Sequence, residues 1–529
     1  MKKILSVFLL LALCVSFLVA CSNDEKIDKL EEKIKELEEA LEEKEDNEIK
    51  PDYALAETDF VETAADAENV VSDIYETSPV TTVQEDITYE PVSQFNQIGL
   101  PDCDFGGYDF NILNVGRSDS FDDFAADENG ATVLEQAVYN RNCAVEDLYN
   151  IRINNDWRVT TANMQSPEAY RTLVIEATAG NTNYDLCVIP GYDAGELAYG
   201  GFLADLNTLP YFDATKSYYD QNAVEDIAFG DVLFYVTGDY GINMMNNTNC
   251  IAFNKKLVED YKLGDMYDLV NTKQWTLEKM SELSKLVAAP DKSIYGNIYH
   301  VDSIQSAFNA SGERLVTLDE NTMTYTLGGN SARANDTIRS FVELVLNGDV
   351  SYRYQYNDMG KEWANMFNEN RALFLLTTLN NLAELRNSEC DFGILPYFLY
   401  DETQENYYSS VMPFNADYMC VPLVVENAER TSAIMEAIGY FSEQTILPAY
   451  YETVLYGKYV RDLESVSMLD IILDNRVYDL GFIYQPAHIN KQLLYMLNDG
   501  TNDWENRYNS LSLSAKAMLD AISERYREL

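Results

Sequence analysis

The sequence predicts a two-lobed α/β protein, and two observations lead to that prediction. The chain has 529 residues, of which 47% are hydrophobic and 12% aromatic, so it can bury cores for two or more lobes. From residue 108 onward, segments with strand periodicity alternate with segments of helical periodicity. Such alternation is typical of folds that contain parallel strands connected by helices.

The first strands and helices are predicted from periodicity and turn residues. Residues 108–115 (YDFNILNV) read as a partly alternating strand, residues 132–149 have a helical period, and another strand starts at Ile151. A helix follows over residues 170–179, and residues 184–189 (YDLCVI) then predict a buried strand. Strand, helix, strand is the usual start of a parallel sheet.

Residues 229–261 (FGDVLFYVTGDYGINMMNNTNCIAFNKKLVEDY) have a different order. An apolar run over residues 232–237 lies between two Gly-Asp pairs, which predicts a short buried strand. A second apolar run covers residues 250–253, and Asn254 stands where an N-cap would precede a helix that starts at Lys255. The stretch therefore predicts strand, loop, strand and helix.

This order resembles the first crossing between lobes in extracellular solute-binding proteins of ABC importers, in particular the maltose-binding-like family (family 1 type). The letters that carry the resemblance are Gly230, Leu233, Phe234, Tyr235, Ala252, Phe253, Asn254, Lys255 and Leu257. The resemblance covers about residues 99–455 and includes residues 185–186, 201–206, 275–279, 363–376 and 390–396. Asn370 departs from the family, which usually has Gly there, but Asn tolerates the left-handed conformation.

The resemblance implies a periplasmic-binding-protein-like fold with multiple interlobe crossings. It also implies that a solute, expected to be a carbohydrate or oligosaccharide, is captured between the lobes by hinge closure and delivered to the permease subunits of an ABC transporter. The 38 Tyr and 4 Trp fit a sugar ligand, because aromatic faces pack on sugar C–H faces, although these residues can equally belong to the core.

Candidate ligand contacts follow from the position of loops in such a fold. Ligands of open α/β sheets bind beyond the carboxyl ends of the strands, so polar side chains there and next to a crossing are expected to contact the solute. These candidates are Arg117, Tyr192, Asp193, Asp239, Tyr240, Asp302, Thr377, Asn380 and Asn415. Each can equally be an ordinary surface or packing residue. No cofactor and no metal site are expected.

The N-terminus predicts a lipoprotein signal peptide over residues 1–20. Lys2 and Lys3 precede an apolar run over residues 4–20, which ends directly before Cys21. This pattern resembles a lipobox, which implies that Cys21 carries the lipid, including palmitate, and anchors the chain at the extracellular face of a bacterial membrane. The alternative is an uncleaved transmembrane helix, but the run is near the lower length limit for spanning a bilayer.

Three further regions are predicted after the signal peptide. Residues 21–50 form a charged helical stalk, because Ile27, Leu30, Ile34, Leu37 and Leu41 recur at heptad spacing. Residues 51–98 form an acidic disordered linker. The folded body then divides into a first lobe (residues 99–240 and 390–412) and a second lobe (residues 245–388 and 418–529).

Composition excludes several classes of function. Eighty-eight acidic against 37 basic residues give a net charge of −51, which argues against nucleic-acid binding. Neither His300 nor His488 belongs to a catalytic motif, and the six cysteines after Cys21 contain no CxxC pair, so no enzyme class is indicated. Whether any of these cysteines pair stays open. The alternatives are a polymer-binding or adhesin-like surface lipoprotein and a glycosidase that uses two carboxylates.

Overall fold

The computed structural model describes residues 99–125, 127–162, 165–354, 361–385, 389–456 and 462–528. The predicted signal peptide, stalk and linker, together with Cys21, lie outside the described residues. Among the described residues, no helix is both long enough and apolar enough to cross a membrane.

The strands are named in chain order. They are β1 (Tyr108–Gly116), β2 (Ile151–Val159), β3 (Leu186–Pro190), β4 (Tyr235–Val236), β5 (Asn249–Asn254), β6 (Tyr295–Tyr299), β7 (Val316–Asp319), β8 (Thr324–Leu327), β9 (Ser351–Arg353), β10 (Ala372–Thr378), β11 (Phe392–Leu395), β12 (Ser409–Ser410), β13 (Asp417–Cys420) and β14 (Arg476–Val477).

The α-helices are named in the same way. They are α1 (Val133–Tyr149), α2 (Thr172–Ala179), α3 (Gly191–Gly200), α4 (Gln221–Ile227), α5 (Ile242–Asn246), α6 (Lys255–Tyr261), α7 (Met266–Asn271), α8 (Leu277–Val287), α9 (Ser303–Ala310), α10 (Ala332–Val345), α11 (Glu362–Asn368), α12 (Leu379–Leu382), α13 (Ala428–Tyr456), α14 (Leu463–Asp474), α15 (Leu480–Ile483), α16 (Ile489–Asp499) and α17 (Trp504–Glu528).

Two five-stranded sheets organise the described residues. The first sheet has the order β2-β1-β3-β13-β4, in which β1 is parallel to β2 and β3, whereas β13 is antiparallel to β3 and β4. The second sheet has the order β11-β5-β10-β6-β9, with β10 and β6 parallel and β5 antiparallel to both its neighbours. The predicted strand-helix-strand start is therefore confirmed in β1, α1 and β2.

Each sheet has its own hydrophobic core. The first core contains Leu113 and Val188 of the first sheet, both fully buried. The second core contains Ile251, Leu375 and Ile394 of the second sheet, also fully buried. Two sheets with separate cores confirm the predicted two-lobed α/β fold.

Local signals placed several helix starts correctly. The Asn254 side chain accepts a hydrogen bond from the backbone N–H of Leu257 at 3.0 Å and caps α6. Thr276 caps α8 in the same way. Asn370 has a φ of 58°, so it adopts the left-handed conformation that its amide side chain tolerates. These contacts involve neighbouring residues, which is why the sequence indicates them.

Three chain segments lie side by side where the chain passes between the two cores. Thr248, just before β5, forms a bridge with Val411, just after β12. Strand β12 in turn pairs in parallel with β14. The Asn249 amide donates to the Ser410 carbonyl at 2.8 Å. These crossings are bonded to one another as one small joint.

The observed lobe boundaries differ from the expected ones. Strand β11 pairs with β5 in the second sheet, so the first part of residues 390–412 belongs to the second lobe. The chain leaves that lobe only at β12. Strand β13 pairs with β3 and β4, so the chain after residue 418 starts in the first sheet. Tyr478 and Tyr526 also lie in the first core. These placements depend on pairing between strands that are far apart in the sequence. The motif residues carry no information about that pairing.

Candidate functional site

Arg117 follows β1 and is held by backbone carbonyl groups. Its Nε donates to the Phe414 carbonyl at 3.2 Å, and its Nη1 donates to the carbonyl of Ala162. The guanidinium carbon lies 3.5 Å from the centre of the Phe414 ring. Burial lowers the pKa of Arg117, and the nearby Asp193 carboxylate opposes this effect. Arg117 therefore forms a fixed positive centre at the edge of the first sheet.

Tyr192 and Asp193 stand in the first turn of α3, because β3 continues to Pro190 and the helix starts at Gly191 without the expected loop. The Asp193 carboxylate accepts hydrogen bonds from the backbone N–H of Ser166 at 2.7 Å and from its hydroxyl at 3.0 Å. Burial raises the pKa of Asp193 to about 6, although these two bonds oppose it. The Tyr192 ring packs edge-on against Phe414, with 6.3 Å between ring centroids.

Asp302 is the candidate that follows β6 of the second sheet. It precedes α9, and its Oδ2 lies 3.5 Å from Nδ1 of His300. Its side chain is 28% exposed. Burial raises the pKa of the Tyr192 hydroxyl, the negative charge of Asp302 raises it further, and Arg117 lowers it. Tyr192 follows β3 of the first sheet, and Asp302 follows β6 of the second sheet.

The other second-lobe candidates lie at the end of β10. Thr377 is 3% exposed, and its hydroxyl oxygen accepts a hydrogen bond from the Asn381 amide at 3.0 Å. Asn380 is half-buried in α12, which starts directly after β10. Thr377 thus supports the start of α12, while Asn380 keeps part of its surface exposed.

Asn415 connects two of the crossings. Its amide donates to Asn247 Oδ1 at 3.3 Å, and the Asn247 amide donates to the Asn415 carbonyl at 3.4 Å. Its own Oδ1 is buried and accepts no hydrogen bond from the described residues. A buried acceptor without a donor is uncommon in native proteins, so Asn415 has capacity for a further contact.

Comparison with known proteins bears on this site. Residues 152–381 match the family described as bacterial extracellular solute-binding proteins. This stretch is similar to that family. It includes the first crossing at Asn247, and Tyr192, Asp302 and Asn380 all lie within it. The predicted resemblance to the solute-binding family is confirmed.

Solved structures of low sequence identity share the fold of this chain. The substrate-binding protein Lmo0181 from Listeria monocytogenes is 13% identical and has a TM-score of 0.51, with 78% of this chain and 99% of that chain covered. The cyclic α-maltosyl-1,6-maltose binding protein from Arthrobacter globiformis is 13% identical, with a TM-score of 0.52 and coverage of 79% and 99%. The galacto-N-biose-/lacto-N-biose I-binding protein from Bifidobacterium longum is 12% identical, with a TM-score of 0.52 and coverage of 80% and 98%. No curated protein is detectably similar in sequence to this chain.

Tyr240, one of the candidates, lies elsewhere than expected. Tyr240 is fully buried, its hydroxyl donates to the Val236 carbonyl at 2.9 Å, and it accepts from the Met419 N–H at 2.7 Å. It therefore joins β4 to β13 inside the first core and does not line a cleft. Asp239 is half-buried; burial raises its pKa to about 7, and the charge of Arg476 opposes this effect. Strand β4 has only two residues, so the chain turns into the core immediately after it.

Two residues next to Arg117 were not among the candidates. Phe414 contacts both Arg117 and Tyr192. Asp417 is 1% exposed, its Oδ2 accepts from the Asn243 amide at 2.7 Å, and burial raises its pKa to about 7. Neither residue belongs to a periodic polar pattern. The sequence feature that could have identified Phe414 and Asp417 is their position in the segment that returns to the first sheet.

Proposed function

We propose that this protein captures an extracellular carbohydrate between its two lobes and delivers it to the permease of an ABC importer. The observation that carries the proposal is the pair of sheets with separate cores, joined by bonded crossings. We propose that the solute binds between Tyr192, directly after β3 in the first lobe, and Asp302, shortly after β6 in the second. A solute bound there would contact both lobes. The aromatic rings of Tyr192 and Phe414 offer apolar faces, and Asp302 offers hydrogen-bond acceptors for hydroxyl groups.

The carbohydrate class is supported by proteins of the same fold. The Listeria protein was solved with cycloalternan, and the Arthrobacter and Bifidobacterium proteins are binding proteins for a cyclic maltosyl-maltose and for lacto-N-biose. A cyclo/maltodextrin-binding protein with maltotetraose has a TM-score of 0.52 to this chain. We therefore assign the ligand to the oligosaccharides, with Arg117, Tyr192, Asp193, Asp302, Thr377, Asn380 and Asn415 as the residues around it.

Ligand capture proceeds by closure at the joint of the three crossings. The crossings are bonded through Thr248, Val411 and Ser410, so rotation of one lobe bends them together. Closure is favoured only to the extent that the ligand binds the closed form more tightly than the open form. Contacts from both lobes provide this difference. The chain acts without an enzymatic step in this proposal.

Location follows from the family and from the N-terminus. The family is extracellular. We propose that Cys21 carries a lipid that holds the protein at the outer face of the cell membrane, close to the permease. Cys21→Ser should move the protein from the membrane fraction to the soluble fraction. Unchanged membrane partition of this variant would contradict the anchor.

A ligand screen tests the proposed function directly. The melting temperature of the full chain is measured with maltotetraose, cycloalternan and lacto-N-biose, and with a dipeptide and spermidine as non-sugar controls. A ligand that binds only the native state at 100 times its Kd adds about 2.7 kcal/mol to the free energy of unfolding, which raises the melting temperature. We expect a sugar to do so. A rise with the dipeptide or spermidine alone would contradict the carbohydrate assignment.

A further inference from the structure

Strands β3 and β13 place two cysteines directly opposite each other. The antiparallel register pairs Asp417 with Pro190 at one end and Cys420 with Cys187 at the other. Both cysteines are fully buried. They are 233 positions apart in the sequence (420 − 187), and spacing alone could not reveal the pair.

The backbone geometry of this pair fits a disulfide bond. Opposite residues in antiparallel strands have Cα atoms about 4.5 to 5.5 Å apart, and their side chains project from the same face of the sheet. Disulfides span Cα distances of about 4.4 to 6.8 Å. A bond between the two sulfur atoms therefore needs no shift of either strand by a residue.

Among the strand pairs of the described residues, none of the other cysteines stands opposite a second cysteine. Cys250 is fully buried, but the register of β5 pairs it with Thr377. Cys390 accepts a hydrogen bond from the Asn254 amide at 3.1 Å. Cys103 and Cys143 are half-buried and lie outside the named strands. Among the described strands, the register brings together only Cys187 and Cys420.

We propose that Cys187 and Cys420 form a disulfide bond when the chain folds outside the cytoplasm. The proposal uses the extracellular location of the family, where disulfides persist. It does not depend on the identity of the ligand. The bond fixes β13 to β3, and so fixes the position of Phe414 and Asn415, which directly precede β13.

The reaction is a thiol–disulfide exchange with a protein disulfide as the oxidant. One thiolate of the pair attacks the oxidant and forms a mixed disulfide, and the second thiolate then displaces the oxidant's sulfur. The two thiols together lose two protons and two electrons, and the oxidant is reduced to a dithiol. Burial raises the pKa of Cys187, so the exchange takes place during folding, before β13 covers the thiols.

Thiol mapping of the full chain tests the bond. Protein isolated from the cells that export it is denatured, alkylated without reductant and digested. We expect alkylation at Cys103, Cys143, Cys250 and Cys390, together with a linked peptide that contains Cys187 and Cys420. Reduction should convert that peptide into two alkylated ones. Alkylation of Cys187 and Cys420 before reduction, or a link between other cysteines, would overturn the proposal.

Thermal unfolding with and without reductant provides an independent test. Reductant should lower the melting temperature of the wild type by several degrees, because the bond restrains a long loop in the unfolded chain. The Cys187→Ala/Cys420→Ala variant should show no reductant effect, whereas Cys250→Ala should respond as the wild type does. For each variant, the melting temperature with reductant is subtracted from that without reductant. A loss of stability caused by the substitution itself affects both values and therefore cancels. If reductant left the melting temperature of the wild type unchanged, the proposed disulfide would be contradicted. Thiol mapping uses only the wild type, so it tests the disulfide even if a variant fails to fold.

Discussion

The polar candidate residues of the two lobes differ in burial and in bonding. The first-lobe set, defined as Arg117, Asp193 and Asp417, is almost fully buried, and each member is bonded within the lobe. The second-lobe set, defined as Asp302 and Asn380, stays partly exposed. The first set therefore takes part in the stability of its lobe, while the second set is free to respond to a solute.

This difference has an electrostatic cause. In the first-lobe set, Arg117 is the positive charge that acts on Asp193 and on Asp417, and all three groups have lost most of their hydration. A buried charge that loses its partner costs several kcal/mol, whereas a partly exposed carboxylate keeps its contact with water. Substitutions in the first set should change stability, and substitutions in the second should change mainly binding.

The largest effect is expected for Arg117→Ala. The change removes the bonds to Phe414 and Ala162 and leaves Asp193 without the compensating charge. The free energy of unfolding should fall by about 3 kcal/mol, measured by urea denaturation. Arg152→Ala is the control, because the Arg152 side chain is 69% exposed, and it should change the value by less than about 0.5 kcal/mol. Equal values for the two variants would contradict the assignment.

Asp417→Asn should change how stability depends on pH. Folding raises the pKa of Asp417 from its ordinary value to about 7 by burial, so between about pH 4 and pH 7 the unfolded chain is ionised while the folded chain keeps the proton. The contribution of Asp417 to the free energy of unfolding therefore falls as pH rises through this window. Asn cannot ionise, and the variant should gain about 2 to 4 kcal/mol relative to the wild type across it.

Denaturation curves at pH 4, 5.5 and 7.5 measure this change. Asp231→Asn serves as the control, because Asp231 is exposed in the same lobe, and its curve should run parallel to that of the wild type. A constant difference between Asp417→Asn and the wild type at the three pH values would show that the Asp417 carboxyl does not titrate within the window.

The sequence could predict a structural feature only where residues close together in the chain determine it. The cap at Asn254 needs only a residue three positions away, and it was predicted correctly; the cap at Thr276 is equally local. The pairing of β13 with β3 joins residues 417–420 to residues 187–190, and no local pattern reports it. The lobe boundaries were misplaced for this reason.

Tyr192 and Tyr240 show the same limit at the level of single residues. Both follow a predicted buried strand, so the sequence ranks them equally. In the structure, Tyr192 begins a helix and packs on Phe414, whereas Tyr240 turns inward and bonds the backbone of two strands. The direction of the chain after each strand separates them. That direction is set by packing against the rest of the lobe.

Tyr192→Ala should weaken binding of the sugar found in the ligand screen by about tenfold, equivalent to about 1.4 kcal/mol, because it removes the ring that packs on Phe414 and a hydroxyl between the lobes. Calorimetric titration measures the Kd. Tyr199→Ala is the matched control, since Tyr199 lies in the last turn of the same helix and is 39% exposed. If both variants weakened binding equally, the first turn of α3 would not contact the ligand.

The smallest effect is expected for Asp302→Asn, and it bears most directly on the contact between the lobes. The side chain is 28% exposed and adjoins His300, so the fold should keep its melting temperature without ligand. Replacing a carboxylate acceptor by an amide should weaken sugar binding by about threefold, or about 0.7 kcal/mol. Asp302→Asn combined with Tyr192→Ala completes a double-mutant cycle. Because both side chains contact the same solute in the proposed complex, the combined loss should differ from the sum of the single losses by at least about 0.5 kcal/mol. Strict additivity would mean that the two residues do not act on one bound solute, and the proposed capture between the lobes would fail.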